Sequence, residues 1–446
     1  MPAPSVRSAR AVEVGGVLLL YHRPVLAHRT AETIAEHIGA FAHHSRFPVY
    51  PVNVAPGMPR RLPGLRFPAI LLHYTLFDVP QHRFDEPLRE YLATEAAGSY
   101  KVAFFQDEYT YCRQRFEFLN RYAVDCVYTI LEPRYAGSVY GAHTGVSEIV
   151  SCLTGYVSDG LLAAARRHYV SDAERTVDIG YRGRRLPLYF GRSGQEKHEI
   201  AERFAAAAAG SGLRLDIASE EHDRLYGEAW YRFLANCRAV LGTESGVAFV
   251  DFDDQILGEY NSLVEAGEQA TLERLEQGAL GRIEGRIPIR TVAPRHFEAA
   301  ALRLCQILYA GDYAGIMEPM IHYIPLRKDF SNFDEVIERF RDPDVRRTLT
   351  DNAHRDLIAS GRYSYSAFVD RVDRTLEDAG LTATRRTPSG AVSRELGRGQ
   401  RARRGQVLAA DRVRRLRARS FPGKVVLRAL YRTAVSIRRR YLRPEM

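Results

Sequence analysis

Short apolar runs alternate with helical patterns along the first half of the chain, and this alternation sets the expected architecture. VLLLYH (17–22) precedes a helical run through RTAETIAEHIGAFAHHS. FPVYPVNV (47–54), AILLHYTL (69–76), KVAFFQDEY (101–109) and CVYTIL (126–131) follow as strands, with helices at LREYLATEAAG and RFEFLNRYAV. Their apolarity is continuous, not alternating, which marks strands covered on both faces in a parallel sheet. Residues 141–175 read as a passage between domains. Strand signals resume at VDIGYRG, LRLDIAS (213–219) and AVLG, with helices EIAERFAAAAAG and HDRLYGEAWYRFLANC between them. A loop at Pro294 leads into the apolar helix HFEAAALR, then past Gly311 and Gly315 to the short strand HYIPL and the turn KDFSN. The turn is expected to cap the next helix through Ser331-Asn332. NSLVEAGEQATLERLEQG reads as polar helical cover, and RYSYSAFVDRVDRTLEDAG as the last helix of the body. The pattern predicts an α/β protein of doubly wound domains.

At 446 residues, 46% hydrophobic and 26% charged, the chain is long enough for two globular domains. No apolar run reaches eighteen residues, and VLLLYH reads as a buried strand, not a leader. The five cysteines are widely spaced and form neither a metal pattern nor a disulfide framework, which points to a reducing cytoplasm. Net charge divides unevenly. Residues 381–446 hold 19 Arg/Lys against 3 Asp/Glu; subtracting these from 63 and 54 leaves 44 against 51 for residues 1–380. The body is mildly acidic, which argues against a nucleic-acid-binding body and for a basic tail with its own partner. Residues 381–420 read as a flexible linker. FPGKVVLRALYRTAVSIRRRYLRPEM reads as a basic amphipathic helix suited to an anionic membrane surface, with docking on the body or a protein partner as a rival and nucleic acid last.

Ligands of parallel sheets collect beyond the C-terminal strand ends. In the first domain those ends carry His22, Arg23, Asn53, His73, Tyr74, Gln106, Asp107, Glu108 and Tyr109. Asp107 and Glu108 are a carboxylate pair that can serve an acceptor hydroxyl as base, or simply cap the next helix. In the second domain Arg182 and Arg184 end the first strand, and GRSGQEK supplies Arg192 and Lys197 before a helix. Cations there answer a diphosphate, although the spacing is not that of a P-loop; a basic surface turn is the plain alternative. GTESG places Thr243, Glu244 and Ser245 on a turn at another strand end, open to sugar or phosphate or merely a turn. Asp251 and Asp253 match D-x-D formally, but no metal site is expected there.

The motifs HFEAAALR, IMEP, HYIPL and KDFSNF, together with GYRGRRLP, GQEK and GTESG in this order, resemble the GT-B glycosyltransferases of bacterial polysaccharide gene clusters, with a family 4-like donor half. The resemblance covers residues 170–380 well and the N-terminal half loosely. It implies two facing Rossmann-like domains, 1–155 for an acceptor and 156–350 for a nucleotide-sugar, then a crossover helix at 351–380 and the tail at 381–446. It implies that Glu298 holds the ribose, and that Arg182, Arg184 and Lys197, with Arg192 behind them, neutralise the diphosphate. Ser331 and Asn332 would lie near nucleotide or phosphate. Thr243, Glu244 and Ser245 would line the donor, while Asp107, Glu108 and His73 belong to the acceptor rim. Many relatives carry another Glu about seven residues before Glu298; here those positions hold Arg290 and Thr291.

The implied function is transfer of a sugar from a nucleotide-sugar donor to a glycan or lipid-linked acceptor, independent of metal and cofactor. It would take place at the inner face of a bacterial membrane during cell-surface polysaccharide synthesis. A nucleotide-sugar epimerase and a non-catalytic glycan-biosynthesis partner stand as alternatives.

Overall fold

A computed structural model describes residues 11–24, 32–77, 82–383, 387–397 and 405. Two parallel sheets carry the body. The first has six strands: β1 (Val17–Tyr21), β2 (Val49–Asn53), β3 (Ala69–Leu72), β4 (Tyr100–Phe104), β5 (Cys126–Thr129) and β6 (Glu148–Ser151). They lie in the order β2-β1-β3-β4-β5-β6, every pair parallel. Helices α1 (Glu32–His44), α2 (Glu86–Ala93) and α3 (Cys112–Arg121) connect them. The continuous apolarity of β1 has the expected cause. Leu18 and Leu20 pack with Ile70, Leu72 and Ala103 on one face, while Val17 and Leu19 pack with Ala69, Leu71 and Val102 on the other. A strand covered twice needs apolar residues at every position.

After α4 (Asp159–His168) comes the second sheet: β7 (Val177–Arg182), β8 (Leu215–Ala218), β9 (Cys237–Gly242), β10 (Cys305–Tyr309) and β11 (Ile324–Leu326). Its order is β8-β7-β9-β10-β11, again all parallel. Helix α5 (Gly191–Ala207) follows β7, α6 (Glu228–Ala235) follows β8, and three short helices lie between β9 and the next strand: α7 (Gln255–Glu265), α8 (Leu272–Glu276) and α9 (Ala279–Ile283). Helix α10 (Pro294–Ala301) precedes β10, and α11 (Phe333–Arg341) and α12 (Pro343–Ala353) follow β11. The last helix, α13 (Tyr365–Asp378), returns to the first domain, where Phe368, Val369 and Val372 join the core under β1, β3 and β4. Asp373 accepts hydrogen bonds from the Ser45 hydroxyl and the Arg46 amide. Two doubly wound domains closed by a returning helix form the GT-B arrangement.

Several elements differ from the sequence reading. The interdomain passage contains β6, whose EIVS is too short and too polar at its start to announce itself. GRSGQEK is not a loop: it forms the opening of α5, and its N-terminal Gly191 takes φ +69°. The apolar helix after Pro294 ends at Ala301, and CQILY is a buried central strand. A short apolar run of this kind fits helix and strand equally. Asn332 does not cap α11 with its side chain. Residues 387–397 fold onto the first domain, where Ser389 N–H donates to the Tyr50 hydroxyl at 2.8 Å and Leu396 is buried. The expected amphipathic helix at the C-terminus lies outside the described residues. Among the described residues no helix is long and apolar enough to cross a membrane.

The largest departure is the segment 247–289. Although it interrupts the second domain, Val247, Phe249, Val250, Ile256 and Leu280 join the hydrophobic core of the first. Asp251 N–H donates to Tyr109 O at 2.8 Å, Tyr111 N–H donates to Asp254, and Arg113 pairs with Asp253 at 2.8 Å. The turn entering it needs Gly246, at φ +96°, because a Cβ there would stand 2.0 Å from Ile289 O.

Candidate functional site

In a sheet of this order the crevice lies where β7 and β9 diverge, beyond their C-terminal ends. A cavity of about 260 Å³ occupies that place. Tyr181 to Arg184 from the end of β7 and Val240 to Thr243 from the end of β9 line it, with Lys197 of α5 and Arg295 and His296 of α10. Phe233, Leu234 and Trp230 of α6 give it an apolar wall. Gly183 allows the β7 end to run close beneath α5: a Cβ there would meet Lys197 O at 2.7 Å.

Two cations stand open here. Among the described residues, neither the Lys197 ammonium nor the exposed Arg184 guanidinium has a hydrogen-bond or ion-pair partner. Burial pushes the Lys197 ammonium below the ordinary lysine value; the Asp107 carboxylate acts the other way, and Arg295, Arg184 and Arg290 add to the lowering. Asp107 belongs to the first domain, and its charge is felt at Lys197 across the cleft. It sits exposed on the turn after β4, at φ +48°, and accepts from the Tyr109 hydroxyl at 3.1 Å. Left-handed backbone is accessible to Asp but uncommon, so the turn presents this carboxylate in a defined direction.

A second lobe of about 220 Å³ adjoins the first and shares Arg182, Arg224, Trp230, Ala293 and Arg295 with it. Glu298 lines this lobe, together with Glu32 and Glu36 of α1. The Trp230 indole N–H donates to Glu298 Oε2 at 2.8 Å, and the Arg295 guanidinium lies 5.3 Å from the Trp230 ring centre. Burial raises the Glu298 carboxyl above its usual range, opposed by the Trp230 bond and Arg295 and reinforced by Glu36 and Glu32. His296 lines the cavity: its Nδ1 accepts from Ala293 N–H at 3.0 Å, and burial, then Arg295 and Lys197, lower it to about 3. It stays neutral at the mouth of α10. Gln306 is fully buried behind it, with Nε2 on His296 O and Oε1 without a partner.

Other expected site residues have structural occupations. Glu108 is fully buried: Oε1 accepts from the Thr129 hydroxyl at 2.6 Å and Ile130 N–H at 2.7 Å, and the other oxygen takes the Tyr140 hydroxyl. With both oxygens sealed it cannot reach an acceptor. His73 is equally buried, held between His37 at 3.0 Å and Thr75 at 2.9 Å, and His37 in turn packs on Tyr365 and Phe368 of the returning helix. Its ring lies under the rim, not on it.

Arg182 reaches Tyr181 O, Asp216 O and Asp216 Oδ1, at 2.9, 2.9 and 2.7 Å, and stacks 4.2 Å from the Phe233 ring centre. It ties β7 to β8. Arg192 donates from Nη2 to both oxygens of Glu276 of α8, away from the cavity. Glu244 accepts from Asp312 N–H at 2.8 Å and Tyr313 N–H at 3.3 Å and pairs with Arg290 at 3.1 Å. Ser245 exchanges backbone bonds with Thr291, and Thr243 lines the cavity with its hydroxyl on Glu244 O. Asn332 accepts from Arg327 N–H and donates to Pro325 O, while Ser331 N–H caps Asp329; both belong to a self-contained exposed turn.

Asp251 and Asp253 do not converge: the first caps α7 and the second pairs with Arg113. Arg295, Trp230, Arg224 and Gln306 escaped the sequence reading. Only Arg295 carried a signal, standing three residues before Glu298 and directly ahead of the HFEAAALR motif.

No protein-family model and no curated protein matches the chain. Among solved structures it is similar to an alpha-glucosyltransferase in complex with UDP and a 13-mer DNA, at 10% identity and a TM-score of 0.47, covering 81% of this chain and 99% of that one. It is similar to Anabaena HepE in complex with UDP and glucose, at 12% identity and a TM-score of 0.42, covering 81% and 99%. TarM shares 8% identity at a TM-score of 0.39, covering 70% of this chain and 55% of that one.

Proposed function

We propose that the protein is a glycosyltransferase that moves a sugar from a nucleotide-sugar to a glycan or lipid-linked acceptor. The observation that carries this reading is the unpaired Lys197 and Arg184 at the switch point of one domain, with the charge of Asp107 of the other felt at Lys197. A diphosphate lying there meets charge-assisted donors, and Arg295 completes the cationic wall. Glu298, in the adjoining lobe, suits a pair of ribose hydroxyls. Breaking the anomeric bond places growing negative charge on the diphosphate, and preorganised cations in a water-poor cleft lower that barrier. Asp107 is the carboxylate placed to take the acceptor proton in an inverting reaction. Polysaccharide synthesis at the inner face of a membrane is the setting this reading favours, with the basic tail as the membrane contact. Liposome sedimentation of the full chain against a form ending at residue 380 tests that contact; equal pelleting with anionic vesicles would remove it.

Calorimetric titration with UDP, GDP, TDP and CMP, then with the matching sugar nucleotides, tests the donor site. Lys197→Ala and Arg184→Ala should each weaken binding by roughly ten- to a hundredfold, the worth of one charge-assisted bond at about 1.5–3 kcal/mol. Silence from all four nucleotides would overturn the reading. Asp107→Asn should leave nucleotide affinity nearly intact and lower turnover by about a hundredfold or more. A second reading, a non-catalytic nucleotide-sugar binder, is favoured by Arg290 and Thr291, which stand where the resembling enzymes carry a carboxylate. It predicts nucleotide binding with no turnover.

A further inference from the structure

A separate cavity of about 750 Å³ opens between the domains, against the ends of β5 and β6, the Arg290–Thr291 segment, the loop after β10 and α13. Four guanidinium groups from three parts of the chain line it: Arg290, Arg362, Arg371 and Arg374, against the carboxylates of Glu132 and Asp312. Arg374 pairs with Asp370 at 2.8 Å and Arg290 with Glu196 and Glu244, so Arg362 and Arg371 are the cations left to a ligand.

Two of its polar groups are unfinished. Arg290 is almost buried and spends Nη2 on Glu196 at 3.0 Å and Nε on Glu244 at 3.1 Å, but its Nη1 has no partner. The adjacent Thr291 is 2% exposed, and its hydroxyl also has none. A buried donor without an acceptor costs about 1–3 kcal/mol, which an arriving oxygen ligand recovers. Arg371 donates to the Tyr156 hydroxyl at 3.0 Å, which fixes one edge of its planar fork. Among the described residues the exposed Arg362 guanidinium has neither a hydrogen bond nor an ion pair.

We propose that this cavity binds an oxyanion carried on a saccharide, a carboxylate or a phosphate, and so selects a charged acceptor. Guanidinium forks match either group. Tyr363, half-buried, lines the same wall and supplies an aromatic side chain beside the arginines. Glu132 and Asp312 accept from sugar hydroxyls but repel a continuously charged polymer, which favours a saccharide over a nucleic acid. The assignment of this ligand as acceptor rests on the transferase reading; its binding does not.

The test is calorimetry on the full chain, with and without UDP, using an oligogalacturonate tetramer, a glycerol-phosphate tetramer and neutral maltotetraose. Preference for the first tetramer identifies a carboxylate, and preference for the second a phosphate. Either should bind at least tenfold more tightly than maltotetraose and weaken as salt rises. Arg362→Gln and Arg371→Gln should each weaken it about tenfold while UDP titrates as before; because Arg362 is exposed, its variant separates ligand loss from misfolding. Equal affinity for neutral and charged tetramers, or unchanged affinity in both variants, would overturn the site, even with UDP binding intact. A single-stranded DNA oligonucleotide binding as tightly would overturn the saccharide assignment. Charged-saccharide binding without any nucleotide binding would support the site and sink the donor reading instead.

Discussion

Trp230 and a ribose would compete for the same carboxylate. The indole N–H holds Glu298 Oε2, while Arg295 lies over the ring, so the pair forms a partition between the acidic lobe and the cationic one. A nucleotide that puts its ribose on Glu298 and its diphosphate on Lys197 displaces that bond. Since this is the chain's one tryptophan, its fluorescence should shift on saturation with the preferred nucleotide, and Glu298→Gln should blunt the shift. Nucleotide binding seen by calorimetry with an unchanged spectrum would show that the partition stays closed. Arg182 should behave differently. Arg182→Ala strips Asp216 of its partner and empties the face of Phe233, so we expect a fall in stability of about 1–3 kcal/mol by denaturant titration.

The places of Lys197, Arg184 and Glu298 around the crevice were legible because local motifs set them beside strand ends and in the opening turns of helices. Arg192 was not, since the Glu276 that takes it is 84 residues away, and no window reveals such a partner. Glu108 and His73 failed for a related reason. A polar residue at a strand end is either on the rim or beneath it, and only packing decides.

Among the elements, the segment 247–289 contributes most that the pattern concealed. Its polar helices read as cover for their own domain, yet their apolar side chains serve the neighbouring one. Phe249 is fully buried there, with its ring 6.4 Å from that of Tyr109. Phe249→Ala should cost about 3–5 kcal/mol, and it should do so by loosening one domain from the other. Denaturation followed by tryptophan emission from the second domain and by far-UV signal from the whole chain should then separate into two transitions. Coincident curves would show that the core contact is not the coupling. The strands themselves were readable wherever apolar runs stood between polar helices. CQILY was lost because it continues the apolar composition of α10 with only a few residues between.

For the whole molecule, histidines held neutral by burial shape the response to acid, with His37, His73 and His296 the most deeply placed and His82 also lowered, to about 4. Burial lowers His37 to about 3, and burial and His37 hold His73 well below its ordinary value; His296 is lowered to about 3 by burial, Arg295 and Lys197. Each is neutral in the fold and takes up a proton on unfolding below its ordinary value of 6.5. The unfolded state binds more protons in this range, so their contribution to stability is complete above pH 6.5 and lost as pH falls toward 3. The melting temperature should therefore drop steadily from pH 6.5 downward in calorimetric scans, and a flat profile would contradict this. At the alkaline end, the lowered Lys197 should lose its charge below the ordinary 10.5, so nucleotide affinity should decline there earlier than an exposed lysine would allow.

The docking of 247–289 onto the first domain also governs how often the cleft gapes. Swinging the domains apart would return Phe249, Ile256 and Leu280 to water, at about 2 kcal/mol each. Some 6 kcal/mol against opening leaves only about four molecules in a hundred thousand agape at any instant. A ligand then reaches the crevice through its standing opening, without the two domains parting.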